Sequence, residues 1–100
     1  MSAVSALPAR FRFRLYIVGG TQNSAQAMIN LRHLCRSHLS CRHDIEVIDV
    51  VLEPQRALAD RVFMTPTLLR LAPGPVLRIV GTLGDGETVL RALGVDDRAT

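Results

Sequence analysis

In Leu68-Leu69-Arg70-Leu71-Ala72-Pro73-Gly74-Pro75-Val76-Leu77-Arg78-Ile79-Val80, two short apolar runs, 68–71 and 76–80, flank a link of four residues. So short a link makes them an antiparallel hairpin, because parallel neighbours need a crossover of a dozen residues or more. Pro54 upstream stands where a first helical position should be, with Ala57, Leu58 and Val62 on one side, and predicts a short helix. Before it, Ile45–Leu52 is a β-branched apolar run interrupted only by Glu46 and Asp49, and reads as a central strand. Phe11-Arg12-Phe13-Arg14-Leu15-Tyr16-Ile17-Val18 alternates and then runs apolar, which places Phe11, Phe13, Leu15 and Ile17 on one face of a strand. Gly19-Gly20-Thr21-Gln22 break it. Asn23, with Gln26 three residues later, is a variant of the capping box and opens a helix. Ala27, Met28, Leu31, Leu34 and Cys35 carry that helix to about His38. Downstream of the hairpin, Asp85 caps a last helix through Leu93, and Gly94 stops it.

The order is therefore βαβαββα. A strand-helix-strand start requires a parallel pair with a right-handed crossover, and the closing hairpin adds antiparallel strands. The expected product is a mixed four-stranded sheet flanked by three helices, the thioredoxin-like α/β architecture. Residues 11–94 form one domain in this reading, with residues 1–10 and 95–100 as flexible ends.

Composition excludes several function classes. A chain of 100 residues has room for one core, and 48% hydrophobic with 21% charged residues is the balance of an ordinary globule. No stretch approaches the roughly 18 apolar residues of a membrane span, and Met1–Arg10 lacks the pattern of a secretory signal. The cytoplasm is the expected address. Twelve basic residues against nine acidic ones give +3, and all twelve are arginine. They are spread among acids, with no basic run and only four aromatic residues, so nucleic acid is not an expected partner. An acidic protein surface fits the arginines better.

His33, Cys35, His38, Cys41 and His43 cluster in sequence, but their spacing matches no paired zinc hook. Cys35 shares the core face of its helix with Met28 and Leu31, and neither a metal nor a disulfide is expected. Thioredoxin-type redox chemistry needs a low-pKa cysteine at the start of the first helix, where this chain has Gly19-Gly20-Thr21-Gln22-Asn23-Ser24. Ser24 at that helix start would be the group to activate a thiol such as glutathione; alternatively it merely begins the helix. No catalytic constellation and no cofactor site emerge. Met64-Thr65-Pro66-Thr67-Leu68 resembles the thioredoxin-superfamily loop in which a cis proline precedes the third strand. Local sequence also suits a trans proline opening a strand, and the resemblance implies cis.

Leu15-Tyr16-Ile17-Val18-Gly19, Thr21 and Asn23-Ser24 resemble the opening of the KaiB family of bacterial circadian-clock proteins. Val47-Ile48-Asp49-Val50, Pro54-Gln55, Thr65-Pro66-Thr67-Leu68, Pro75-Val76 and Arg78-Ile79-Val80-Gly81 continue the resemblance in order, followed by Glu87, Val89, Leu90 and Leu93. It implies a non-enzymatic adaptor that binds a KaiC-type ATPase ring, with KaiA or an output histidine kinase as further partners and self-association to dimers or tetramers. It also implies a second, ground-state arrangement, βαββααβ, in which later helices and strands exchange places and the ring is not bound. A thioredoxin-like sensor module of another signalling system, resembling the sensor domain of a clock output kinase, is the alternative.

Carried onto this chain, the resemblance implies partner contacts at Tyr16, Gln55, Asp60, Arg61 and Arg78. It makes Gly19, Asn23, Thr65, Pro66, Thr67, Gly81 and Ala92 determinants of the fold. Ala92 stands where relatives often carry Gly, and Ala favours helix over Gly by about 1 kcal/mol, which biases the chain toward the thioredoxin-like state. Gly20, Gln22, Glu46, Glu53 and Thr82 depart from the family pattern, and the acidic C-terminal tail of cyanobacterial members has no counterpart. A KaiC-like partner without KaiA, in a simpler timer or stress response, is as compatible with these departures as a full oscillator.

Overall fold

The computed structural model describes residues 10–95. β1 (Phe11–Ile17), α1 (Gln22–His38), β2 (His43–Asp49), α2 (Pro54–Ala59), β3 (Thr67–Ala72), β4 (Leu77–Val80) and α3 (Gly86–Leu93) follow one another in the expected order. β1 pairs parallel with β2, as in Leu15 against Val47, and antiparallel with β3, as in Leu15 against Leu68. β3 closes the hairpin with β4, Leu69 facing Arg78. The sheet order β2-β1-β3-β4 gives the mixed four-stranded, thioredoxin-like sheet.

Alternation along β1 divides the interior into two cores. Phe11, Phe13 and Leu15 pack with Ala27, Leu31, Leu34 and Cys35 of α1 and with Val89, Leu90 and Leu93 of α3. Tyr16 turns to the opposite face, where it meets Ile48, Leu69, Ala57 of α2 and Val62 beyond it. Burying each large apolar side chain stabilises the fold by about 1.5–3 kcal/mol, so the larger core under α1 and α3 anchors the domain.

The helix ends follow local chemistry. The Asp85 carboxylate accepts from the Thr88 N–H at 3.3 Å and from the Thr88 hydroxyl at 2.8 Å, and so caps α3. Gly94 takes φ 77° at the other end, where only glycine is free of a Cβ clash, and Val95 N–H reaches back to the Leu90 carbonyl at 3.1 Å. The Thr65–Pro66 peptide is cis, as are Ala72–Pro73 and Gly74–Pro75.

Three expectations need correction. β2 is an edge strand, not a central one, because β3 pairs with β1 rather than with the outer side of β2. Its apolar run also leaves the sheet early. The Asp49 carboxylate accepts from Val51 N–H at 2.8 Å and turns the chain, leaving Val51 and Leu52 exposed. Leu58 points outward, 66% exposed, while Ala57 of α2 and Val62 just beyond it pack into the smaller core. Finally, Asn23 does not cap α1. Thr21 stands at the N-cap with no side-chain cap bond, its hydroxyl donating to the Val18 carbonyl at 2.8 Å, and Gln26 bonds Asn30 instead.

Of the two segments expected to be flexible, all but Arg10 and Val95 lie outside the described residues. Arg10 makes a two-pronged ion pair with Asp44 at 2.7 and 2.9 Å, and Val95 packs in the larger core. Among the described residues, no helix is long and apolar enough to cross a membrane.

Candidate partner-binding face

The face begins with α2. Pro54 occupies its first turn, where a missing N–H costs nothing. The helix ends in a Schellman turn: Arg61 N–H donates to the Leu58 carbonyl at 3.0 Å and Val62 N–H to the Ala57 carbonyl at 2.8 Å. Ala57 and Val62 pack together beneath it. Arg61 therefore sits at the left-handed position, φ 56°, with its side chain on the surface.

Asp60, one residue earlier, is the hub of a charged network. Its Oδ2 accepts from the Tyr16 hydroxyl at 2.5 Å and from Arg14 Nη1 at 2.9 Å. Arg14 also donates to Glu46 at 2.9 Å, and Glu46 in turn accepts from Arg56 at 2.7 Å. Burial alone would push the Asp60 carboxyl up, but the bonds from Tyr16 and Arg14 outweigh it and hold the carboxyl below its ordinary range. Burial and then the contact with Asp60 push the Tyr16 hydroxyl up to about 12. Tyr16 is thus a neutral, fully buried donor, and it reaches a partner only through the groups it holds.

Arg78 on β4 faces the same turn. Its Nη1 donates to the Arg61 carbonyl at 2.8 Å and its Nη2 to the Asp60 carbonyl at 2.6 Å. Between this pair of arginines lies a shallow groove of about 380 Å³ lined by Arg61, Phe63, Met64, Thr67, Arg78 and Val80. Phe63 is 80% exposed, and Met64 and Val80 are also open to solvent. Gln55 is exposed on α2 beside Leu52 and Glu53. The structure therefore gathers Gln55, Asp60, Arg61 and Arg78 around α2 and its exit turn, with Tyr16 beneath. Sequence reasoning missed Phe63, Met64 and the outward Leu58; the signal for the first two was a pair of large apolar residues in a loop directly before Thr65-Pro66.

Gly19 approaches Asp49 so closely that an added Cβ would lie 2.8 Å from Oδ2, and its N–H donates to that oxygen at 2.9 Å. Asn23 is exposed in the first turn of α1, and Ala92 is exposed on α3. Thr65 precedes the buried cis Pro66, whose carbonyl accepts from Gly81 N–H at 2.9 Å. Thr67 is buried with its hydroxyl on the Met64 carbonyl at 2.5 Å. Ser24 is buried, and its hydroxyl accepts from Val18 N–H at 3.0 Å, tying the start of α1 to the end of β1. Burial pushes the Cys35 thiol up to about 12, while Cys41 is exposed. Among the described residues, no three His, Cys, Asp or Glu side chains gather as metal ligands.

Comparison with known proteins adds an independent finding. Residues 14–95 match the family model described as the KaiB domain. The circadian clock protein KaiB3 of Synechocystis is 40% identical over 87 residues, covering 87% of this chain and 83% of that protein. The circadian clock oscillator protein KaiB of Acaryochloris marina is 37% identical over 93 residues, covering 93% and 88% respectively. Among solved structures, the N-terminal domain of SasA from Synechococcus elongatus superposes with a TM-score of 0.70 at 22% identity, covering 89% of this chain and 88% of that one. The thioredoxin Deadhead of Drosophila gives 0.68 at 15% identity, covering 93% and 87%. These last two likenesses speak to the fold.

Proposed function

The chain belongs to the KaiB family, and from that premise we propose that it is a cytoplasmic, non-enzymatic adaptor of a KaiC-type ATPase ring. Bound to the ring, it regulates the phosphorylation and ATPase cycle of a circadian clock or of a simpler timing or stress response. KaiA or an output histidine kinase would compete for or extend that assembly, and self-association would hold the chain in reserve.

One observation carries this reading beyond kinship. Around α2 the chain exposes Leu58, Phe63 and Met64 next to an arginine whose guanidinium has no bond within the described residues, Arg61. Apolar area beside an unpaired cation is the composition of a protein-docking face, with apolar contacts giving affinity and the charge giving orientation. The start of α1, where a redox enzyme of this fold needs a thiol, has none, and Ser24 is engaged by the backbone.

A second reading follows from the likeness to the SasA domain: a sensor or docking module of another signalling system on the same fold. The deciding experiment is a titration against the KaiC-type ATPase of the same organism, with ATP and with ADP, followed for hours because a change of fold would slow association. Slow, nucleotide-dependent binding supports the ring adaptor. No binding in either nucleotide overturns it and leaves the signalling module.

A further inference from the structure

The turn after α2 places its residues against their preferences. A Schellman turn asks for glycine at its left-handed position, as α3 has in Gly94, because a Cβ there crowds the backbone. Here the position holds Arg61, φ 56°, a long cation whose own guanidinium makes no hydrogen bond or ion pair among the described residues. Backbone strain at an exposed residue with nothing to bond points to a side chain kept for an external contact. The same turn has an unusual support. Arg78, from a different element, spans two successive main-chain carbonyls, those of Asp60 and Arg61, at 2.6 and 2.8 Å. Those carbonyls belong to the end of a helix, where acceptors lack partners and a cation is favourable.

We propose that Arg78 is a positioning residue rather than a partner contact. Its guanidinium clamps the Asp60–Arg61 turn to β4 and thereby presents the Arg61 side chain at the rim of the Phe63–Met64–Val80 groove. The presentation rests on the ring-adaptor reading; the clamp does not. A lysine at 78 keeps the charge but cannot span both carbonyls, so charge and geometry separate cleanly.

The first arm needs no partner. Amide hydrogen exchange in the full chain should show Arg61 and Val62 exchanging at least about tenfold faster in Arg78→Lys than in wild type, with β1 amides unchanged. Equal rates would overturn the clamp. In the same experiment Arg61→Gly should raise the melting temperature by roughly 2 to 5 °C, since glycine relieves the left-handed turn. A lowered melting temperature would overturn the strain argument. The second arm is a double-mutant cycle on affinity for the KaiC-type ring. Arg78→Lys should weaken binding about tenfold in the wild-type background and less than about twofold in Arg61→Ala, because it acts through Arg61. Additive losses would show Arg78 touching the ring itself and overturn the proposal. If the wild type binds no ring, the adaptor reading fails and the presentation of Arg61 with it, while the exchange arm still decides the clamp.

Discussion

At the residue scale, Asp60 and Arg61 illustrate how adjacent side chains take opposite tasks. The Asp60 carboxylate faces inward to Tyr16 and Arg14, whereas Arg61 faces solvent from a strained backbone. Tyr16→Phe should cost about 1.5–3 kcal/mol, the value of a hydrogen bond to a charged group, measured by urea unfolding. Asp60 titrates below its ordinary range in the folded chain. So does Glu46, held by Arg56 and Arg14, and so does Asp49, held by the N–H groups of Gly19 and Val51. A carboxyl with a lowered folded pKa binds fewer protons in the native state than in the unfolded one. Its contribution is complete above the unfolded pKa, about 4, and is lost as pH falls through the folded value. Unfolding free energy should therefore decline as pH drops below about 5, and Asp60→Asn should flatten that decline. An unchanged acid slope in the variant would remove Asp60 from the network. Arg61→Glu should weaken ring binding tenfold or more, since a reversed charge at a docked contact costs upward of ~1.4 kcal/mol; unchanged affinity would take Arg61 out of the face.

At the scale of elements, what was legible in the sequence was what neighbours in sequence settle. Pro54 began α2, Asp85 and Gly94 bounded α3, and Ala72-Pro73-Gly74-Pro75 made a hairpin, because each acts over a few residues. Three things were not legible. The place of β2 depends on whether a strand from the far half of the chain pairs with β1 or with the outer side of β2, which no local pattern records. The Tyr16–Asp60 bond joins residues from opposite sides of two elements. The left-handed turn at Arg61 lacked its usual marker, glycine. Within α3, two substitutions isolate cap from propensity. Asp85→Ala removes the bonds to Thr88 and should cost about 1 kcal/mol. Ala92→Gly touches nothing buried and should cost a similar ~1 kcal/mol through backbone freedom alone. Thermal melts of the two variants and their double would test this, and the losses should add.

For the whole molecule, the division into two cores places the candidate face on the thinner side. α1 and α3 cover one face of the sheet, while α2 covers the other over only six residues. Residues 86–93 are helical in this arrangement, and backbone chemical shifts in solution should show them so. Extended shifts there would reveal the family's second arrangement as the resident one. The candidate face is consequently built from the second half of the chain, α2 and its turn together with Arg78 and Val80, and only the buried Tyr16 and its neighbour Arg14 support it from the first. A rearrangement of the second half would dismantle it.

The ladder between β1 and β3 has a consequence in time. Leu15 meets Val47 through a local crossover but meets Leu68 only after α2 has been passed, whereas Leu69 and Arg78 pair across a short loop. Loop-closure entropy makes near pairs form sooner than distant ones. During synthesis the segment through β2 can assemble before the hairpin exists, and the hairpin can close before it docks. The seam between β1 and β3 is then the last part of the sheet to be zipped.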